Sequence, residues 1–304
     1  MNQRLGAWCA LLIMGAAWGL SFSLARIAAI GGVHPLSITF WEAAGAGIIV
    51  VAIGAARRRF IRLSRELVLL YLAAGVLGMV LPCAIFFYAA AHVPAGVLSI
   101  ALAVTPVLTF VISAALGLDA LVPGRILGIV LGTLSIVLLV VPQQSLPDPA
   151  QLPWLLFSLL AAVPYAALNV MMARWKPQGV TPFTATAGMF LAASLIMIPV
   201  FCASDTFVAF AWPWRGVEWA LFGLGAINAL AYSLKFHLID AAGPVFTSLT
   251  TNLVTLFGVL WGIVIFGEQH SAWVWLSLAA MTAALALVKP HPKPRKAGLV
   301  AVEP

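Results

Sequence analysis

Charged residues are scarce in this chain of 304 amino acids. Aspartate, glutamate, lysine and arginine together make up 8% of it, whereas 63% of the residues are apolar. Soluble globular domains carry about 25% charged residues. This chain therefore has too few charges to cover a water-facing surface, and a soluble protein is excluded. The mean hydropathy of +1.09 instead predicts a protein that crosses a membrane several times.

The sequence also lacks the residue patterns of disulfide-linked, metal-binding and catalytic proteins. Its three cysteines, Cys9, Cys83 and Cys202, stand apart inside apolar runs, so no disulfide framework is expected. There is no phosphate-binding loop, no zinc-protease or serine-hydrolase motif and no acidic cluster suited to magnesium. These absences argue against an enzyme, and no cofactor or metal is predicted.

Long stretches without charge predict ten membrane-spanning helices. Residues 67–118 contain no charged residue, which leaves room for two helices of about 20 residues and a turn. The predicted helices cover residues 5–28, 35–56, 67–90, 95–116, 122–141, 153–173, 182–203, 217–239, 244–265 and 272–288.

The basic residues predict the orientation of these helices. An even number of spans puts both termini on one side, and a cytoplasmic N-terminus places 13 of the 16 basic residues in the cytoplasm. Loops rich in lysine and arginine stay on that side of the membrane. The net charge of +7 is therefore assigned to topology and not to nucleic-acid binding. The proline- and lysine-rich segment 289–304 is interpreted as a disordered cytoplasmic tail.

The two halves of the chain repeat each other at an offset of 147 positions. This offset relates Trp18 to Tyr165, Pro35 to Pro182, and the pair Ala95-Gly96 to Ala242-Gly243. Each half holds five spans, an odd number, so the second half enters the membrane from the opposite side. The sequence thus predicts an all-α membrane protein of ten transmembrane helices in two inverted five-helix repeats, residues 1–144 and 145–288, followed by the tail.

Four segments carry a resemblance to a known family. They are WGLSFSLARIA (18–28), HPLSITFWE (34–42), and the longer segments 89–119 and 240–268, which end in GLD and FGE. Together with the layout of five plus five spans, they resemble the EamA family of the drug/metabolite transporter (DMT) superfamily. Two departures are Asp119, where a glutamate is usual, and Glu42, close to where many members carry an arginine.

The resemblance implies a fold and a setting for the protein. It implies a carrier of small metabolites, often amino acids or their relatives, in the inner membrane of a bacterium. Spans 1–4 and 6–9 are expected to surround a central cavity, with spans 5 and 10 at the periphery.

Charged residues inside spans are costly, so each is a functional candidate. Glu42 lies seven residues past Pro35, roughly 10 Å below the outer surface. It is interpreted as an ion-pair partner of Arg26, with a substrate- or proton-binding role as the alternative. Lys235, near the inner end of span eight, is expected to extend its ammonium group to the membrane surface.

Polar and aromatic residues at mid-depth predict the substrate site. Trp18 and Phe22 lie one turn apart, as do their repeat equivalents Tyr165 and Asn169. Hydrogen bonds between helices are the competing explanation for the polar residues. Thr105 and Asn252 are also repeat equivalents. The predicted substrate-binding residues are Trp18, Phe22, Tyr88, Thr105, Tyr165, Asn169, Asn228 and Asn252.

Together with this resemblance, the sequence predicts a secondary transporter that exports small metabolites by alternating access, and the resemblance implies amino acids or related compounds as the solutes. The alternatives are an uptake carrier for a vitamin or another metabolite, and a lipid-handling or channel-like protein. Polar residues that stand singly among apolar ones favour an occluded site over a continuous pore. The expected partners are a small-molecule substrate and the lipid bilayer. A monomer is favoured over a homodimer, since motifs such as Gly15-x-x-x-Gly19 suit packing within one chain.

Overall fold

The computed structural model describes residues 3–58, 61–118, 123–140, 148–203, 206, 208, 210 and 212–287, and within these residues every regular element is helical. In chain order the α-helices are α1 (Gln3–Ile30), α2 (Pro35–Ala56), α3 (Arg65–Gly75), α4 (Leu81–Ala90), α5 (Ala95–Ile100), α6 (Val104–Ala115), α7 (Pro123–Val140), α8 (Leu152–Leu159), α9 (Ala162–Arg174), α10 (Pro182–Ala203), α11 (Gly216–Ala242), α12 (Pro244–Ser248), α13 (Thr250–Phe266) and α14 (Ala272–Leu287).

Eight helical stretches of the described chain are long and apolar enough to cross a membrane. They are Leu5–Ile30, Pro35–Ala56, Arg65–Ala90, Ala95–Ala115, Pro149–Arg174, Pro182–Ala203, Gly216–Ala242 and Pro244–Phe266. These stretches agree with eight of the ten predicted spans. The other two predicted spans correspond to α7 and α14, of 18 and 16 residues, so a total of ten stays a prediction. The predicted tail, 289–304, and Asp119 lie outside the described residues.

The helices of the first half pack mainly against those of the second. Helix α1 contacts α11 and α13, α2 contacts α10 and α11, α3 contacts α10, α5 contacts α13, α6 contacts α9, and α7 contacts α14. The contacts are symmetric with respect to the repeat. When each span is replaced by its equivalent in the other half, nearly the same pairs of spans are in contact. The packing of α1 on α13, for example, corresponds to the packing of α9 on α6.

Glycine allows α1 and α13 to approach closely. A Cβ atom added at Gly19 would lie 2.8 Å from the backbone nitrogen of Gly258, and one at Gly15 would lie 2.4 Å from the Cβ of Leu253. Any side chain at these positions would therefore push the two helices apart. The small-residue motifs of both helices thus serve packing within the chain, as the sequence predicts.

Two interruptions shape the helices that surround the centre of the molecule. A π-helical turn, Val76–Val80, separates α3 from α4 and is followed by Pro82. The hydroxyl of Tyr232 donates a hydrogen bond to the carbonyl oxygen of Gly78 in this turn, which ties α11 to the interruption. The second interruption, at Leu249, divides α12 from α13. Pro244 is the first residue of α12, where its fixed φ suits a helix start.

Candidate functional site

A central cavity lies between the two halves of the chain. Residues of α1, α2, α4, α5 and α6 line it from the first half, and residues of α9, α11, α12 and α13 from the second. The cavity offers about 70 Å³ to the centres of water molecules. Since one water needs about 10–15 Å³ by this measure, the space holds roughly five waters, or a small organic solute.

Six of the eight predicted substrate-binding residues line this cavity. They are Trp18, Phe22, Thr105, Tyr165, Asn169 and Asn228, and Glu42 lines it as well. Aromatic rings form much of the wall, because Phe86 and Phe87 of α4 join Trp18 and Phe22. An apolar wall with a few convergent polar groups is typical of small-molecule sites.

Tyr88 and Asn252 do not line the cavity. Tyr88 is 38% exposed, and its ring packs edge-on against His34 with the ring centres 5.8 Å apart. Asn252 is buried elsewhere on α13. Tyr88 follows the lining residue Cys83 by five positions, which turns α4 by about 500°. On α13, Asn252 lies two positions from each of the lining residues Thr250 and Val254, about 200° around the helix. Both side chains therefore lie roughly 140–160° away from these lining residues.

A hydrogen-bonded chain joins three cavity residues from three helices. The indole Nε1 of Trp18 donates to Oδ1 of Asn228 over 2.9 Å, and Nδ2 of Asn228 donates to Oε1 of Glu42. Nδ2 also donates to the carbonyl oxygen of Leu224 over 3.1 Å. Asn228, from the second half, thus holds two residues of the first half in place.

Arg26 pairs with Glu268, and the predicted ion pair between Arg26 and Glu42 is wrong. Nη1 of Arg26 lies 2.5 Å from Oε1 of Glu268, and the guanidinium also covers the ring of Phe266, 4.9 Å from its centre. Glu268 follows α13 and reaches the start of α5, where it accepts hydrogen bonds from the backbone nitrogens of Ala95 and Gly96 at 2.9 and 3.1 Å. Helix N-termini attract negative charge, so this carboxylate ties together α1, α5 and α13.

Two glycines and a histidine complete the surroundings of Glu268. A Cβ atom at Gly262 would lie 2.4 Å from Oε2 of Glu268, and one at Gly96 would lie 3.0 Å from it, so only glycine leaves room for the carboxylate. Nε2 of His270 lies 3.5 Å from Oε2. Burial lowers the pKa of His270, while the carboxylate of Glu268 opposes this. His270 is therefore neutral at pH 7, and Arg26 supplies the positive charge of the cluster.

Lys235 points into the cavity, and its predicted extension to the membrane surface is wrong. The residue is 5% exposed, and Nζ lies over the rings of Trp18, Tyr165 and Tyr232, 5.6, 5.3 and 5.3 Å from their centres. Helix α11 continues to Ala242, three residues beyond the predicted end of span eight, so Lys235 lies deeper than expected. Burying a single ammonium group costs several kcal/mol, and contacts with ring faces return about 0.5–2 kcal/mol each.

Several cavity-lining oxygen atoms have no hydrogen-bond partner in the described part of the chain. They are Oγ of Ser21, Oε2 of Glu42, Oγ1 of Thr105 and Oδ1 of Asn169. Buried polar groups are almost always paired, so four unpaired oxygens around one cavity indicate a place for a ligand with hydrogen-bond donors. Among the described residues, no three His, Cys, Asp or Glu side chains are grouped to hold a metal ion.

The sequence prediction missed a set of hydroxyl groups beside the break at Leu249. They belong to Thr247, Ser248, Thr250 and Thr251, and all four residues line the cavity. The run FTSLTTN was visible as a dense polar stretch in an apolar span. Lys235 was also detectable, because it lies seven residues, or about two turns, past Asn228 on the same face of α11.

Comparisons with known proteins agree with the resemblance noted from the sequence. The sequence profile of the EamA-like transporter family matches residues 5–141 and 152–289, which is one copy in each half. Protein PecM of Dickeya dadantii (strain 3937) is 26% identical over 204 residues, which cover 67% of each chain. A solved crystal structure with 19% sequence identity superposes with a TM-score of 0.63 over 94% of this chain and 96% of its own, so the fold is shared. The chain belongs to the EamA-like transporter family, a family of membrane transporters for small molecules.

Proposed function

We propose that this chain is a secondary carrier that exports small organic metabolites, amino acids or related compounds, by alternating access. The observation that carries the proposal is the central cavity, which both halves of the chain enclose. Its aromatic wall suits the apolar body of a solute, and its unpaired oxygens suit polar groups. The eight predicted substrate-binding residues keep this proposed role, with Tyr88 and Asn252 acting from behind the lining.

The proposal includes ten spans in two inverted repeats, residues 1–144 and 145–288. The exchange symmetry of the helix contacts supports it, because a twofold relation between halves pairs α1–α13 with α9–α6. In inverted-repeat carriers the substrate site lies where the halves meet, near the middle of the membrane. The cavity lies between the two halves of the chain. Glu42, which lines it, is the proposed residue for coupling transport to protons.

We expect labelled L-phenylalanine to show counterflow in liposomes that contain the purified protein. Vesicles loaded with unlabelled amino acid should accumulate the label transiently and saturably, because a carrier exchanges solutes one at a time. A panel of the standard amino acids then defines the preferred solute. Uptake that rises in proportion to concentration would indicate a channel, and a panel without any counterflow would contradict an amino-acid carrier.

The direction of transport is tested in living bacteria. Cells that express the protein should hold less labelled L-phenylalanine than cells that express Asn228→Leu, which removes a cavity residue. A higher intracellular level would indicate an uptake carrier and contradict export.

The proposed inner-membrane location with cytoplasmic termini predicts opposite labelling of two loops. In a chain without its native cysteines, Arg57→Cys should resist an impermeant maleimide in intact cells, and Asp148→Cys should react. Both residues are exposed, so access depends on the side of the membrane and not on burial. Permeabilised cells provide the control, since both positions should then react. Equal labelling in intact cells would contradict the proposed topology.

A further inference from the structure

Lys235 differs from Arg26 and Lys176 in having no anionic partner among the described residues. Arg26 pairs with Glu268, and Nζ of Lys176 lies 2.5 Å from Oδ2 of Asp240. Within the described residues, Nζ of Lys235 makes neither a hydrogen bond nor an ion pair. A buried ammonium group without a counter-charge is unfavourable, so its position indicates that another molecule completes it.

The three aromatic rings hold the ammonium group without using its hydrogen atoms. Trp18, Tyr165 and Tyr232 belong to α1, α9 and α11, so the group is fixed from three sides. Ring faces attract a cation through their quadrupole, whereas an ammonium has three N–H donors for acceptor atoms. Lys235 therefore presents free N–H donors to the cavity.

We propose that Lys235 binds a carboxylate of the transported solute. This inference rests on the proposed function, since it assigns a specific contact within the same cavity. Charge-assisted bonds from an ammonium group to a carboxylate are short and strong, and the aromatic wall formed by Phe22 and Phe86 takes up the apolar remainder of the solute. A cavity that holds roughly five waters suits a monocarboxylate with one ring or a short branched chain.

Binding of three matched probes tests the proposal by calorimetry on the purified protein. The probes are 3-phenylpropionate, its neutral amide 3-phenylpropionamide, and 2-phenylethyl phosphate. The wild-type protein should bind the carboxylate about 10- to 100-fold more tightly than the amide, which is the factor expected for a hydrogen bond to a charged group. Lys235→Met should abolish this preference, and Lys235→Arg should keep most of it.

The variants separate a binding role from a structural one. Methionine fills a similar volume without a charge, so Lys235→Met should unfold at the same temperature as the wild type or a higher one. Lys176→Met is the matched control, because it removes a lysine outside the cavity, and it should keep the preference for the carboxylate.

Three results would overturn the proposal. They are equal affinity of the wild type for carboxylate and amide, an unchanged preference in Lys235→Met, and binding of the phosphate but not of the carboxylate. These outcomes differ from failure of the proposed function. A protein that binds the carboxylate through Lys235 but shows no counterflow contradicts the carrier alone, and counterflow that does not depend on Lys235 contradicts this inference alone.

Discussion

Replacing Glu268 with glutamine is expected to open the end of the cavity next to Arg26. The carboxylate accepts bonds from Arg26, Ala95 and Gly96, all of which are donors. Glutamine keeps one acceptor oxygen but turns an NH₂ group toward this set of donors. Breaking a fully buried ion pair costs about 3–5 kcal/mol, and this pair costs less because 25% of the Arg26 side chain is exposed. The protein is expected to exchange between a form in which this end of the cavity is closed, as in the structure, and a form in which it is open. If the substitution destabilises the closed form by about 1.4 kcal/mol relative to the open form, the open form becomes tenfold more populated.

Reactivity of a cysteine at position 25 measures this opening. Ala25 precedes Arg26 on α1, lines the cavity and is 2% exposed, so Ala25→Cys should react slowly with a maleimide in a chain without other cysteines. In the purified protein, Glu268→Gln should speed the reaction by about tenfold or more. Gly262→Ala should act in the same direction, because its Cβ would lie 2.4 Å from Oε2 of Glu268.

Asp148→Asn is the matched control for this experiment. Asp148 also accepts a hydrogen bond from a backbone nitrogen at the start of a helical turn, that of Ala150 at 2.9 Å. This bond lies within one helix end and joins no neighbouring spans. The control should leave the reactivity at position 25 unchanged. If Glu268→Gln and Gly262→Ala also leave it unchanged, the cluster stabilises the fold without controlling access to the cavity.

Eight of the predicted spans and the two-copy architecture were predictable because they depend on composition and on a constant offset. Apolar runs of about 20 residues have few alternatives to a membrane helix, and the match of residues 5–141 and 152–289 to one family reflects the repeat. The interruption at Val76–Val80 was not predictable. A π-helical turn changes the hydrogen-bond register without changing the apolar character of the sequence, and here it is accompanied by the long-range bond from Tyr232.

Repeat symmetry and depth were enough to locate two residues of the cavity wall, Trp18 and Tyr165. They do not give the direction of a side chain, and Asn252 faces away from the cavity. That these residues bind substrate stays a prediction. The partner of Arg26 could not be predicted from the sequence, for a different reason. Glu268 is 242 residues away in the chain, and nothing in the local sequence relates the two. Glu42, sixteen positions away, was the nearer carboxylate and the natural but incorrect choice.

Asn228→Leu is expected to destabilise the protein and to abolish transport. Leucine leaves the indole N–H of Trp18 and the carboxylate of Glu42 without the amide that joins them. A buried polar group left without its partner costs about 1–3 kcal/mol, which should appear as a lower unfolding temperature in detergent. Counterflow of L-phenylalanine should fall to the level of empty liposomes, because the cavity loses the residue that positions both groups.

A second substitution distinguishes stability from function in this network. Replacing both partners of a buried polar contact with apolar groups can be nearly neutral, so Asn228→Leu combined with Glu42→Leu should regain most of the lost stability. It should not regain transport, because the carboxylate itself is then absent from the cavity. Thr186→Val is the matched control, since it removes a buried polar group that does not line the cavity, and it should transport at close to the wild-type rate. If the double variant regains transport with stability, Asn228 and Glu42 only support the fold, and their place in the proposed substrate site is contradicted.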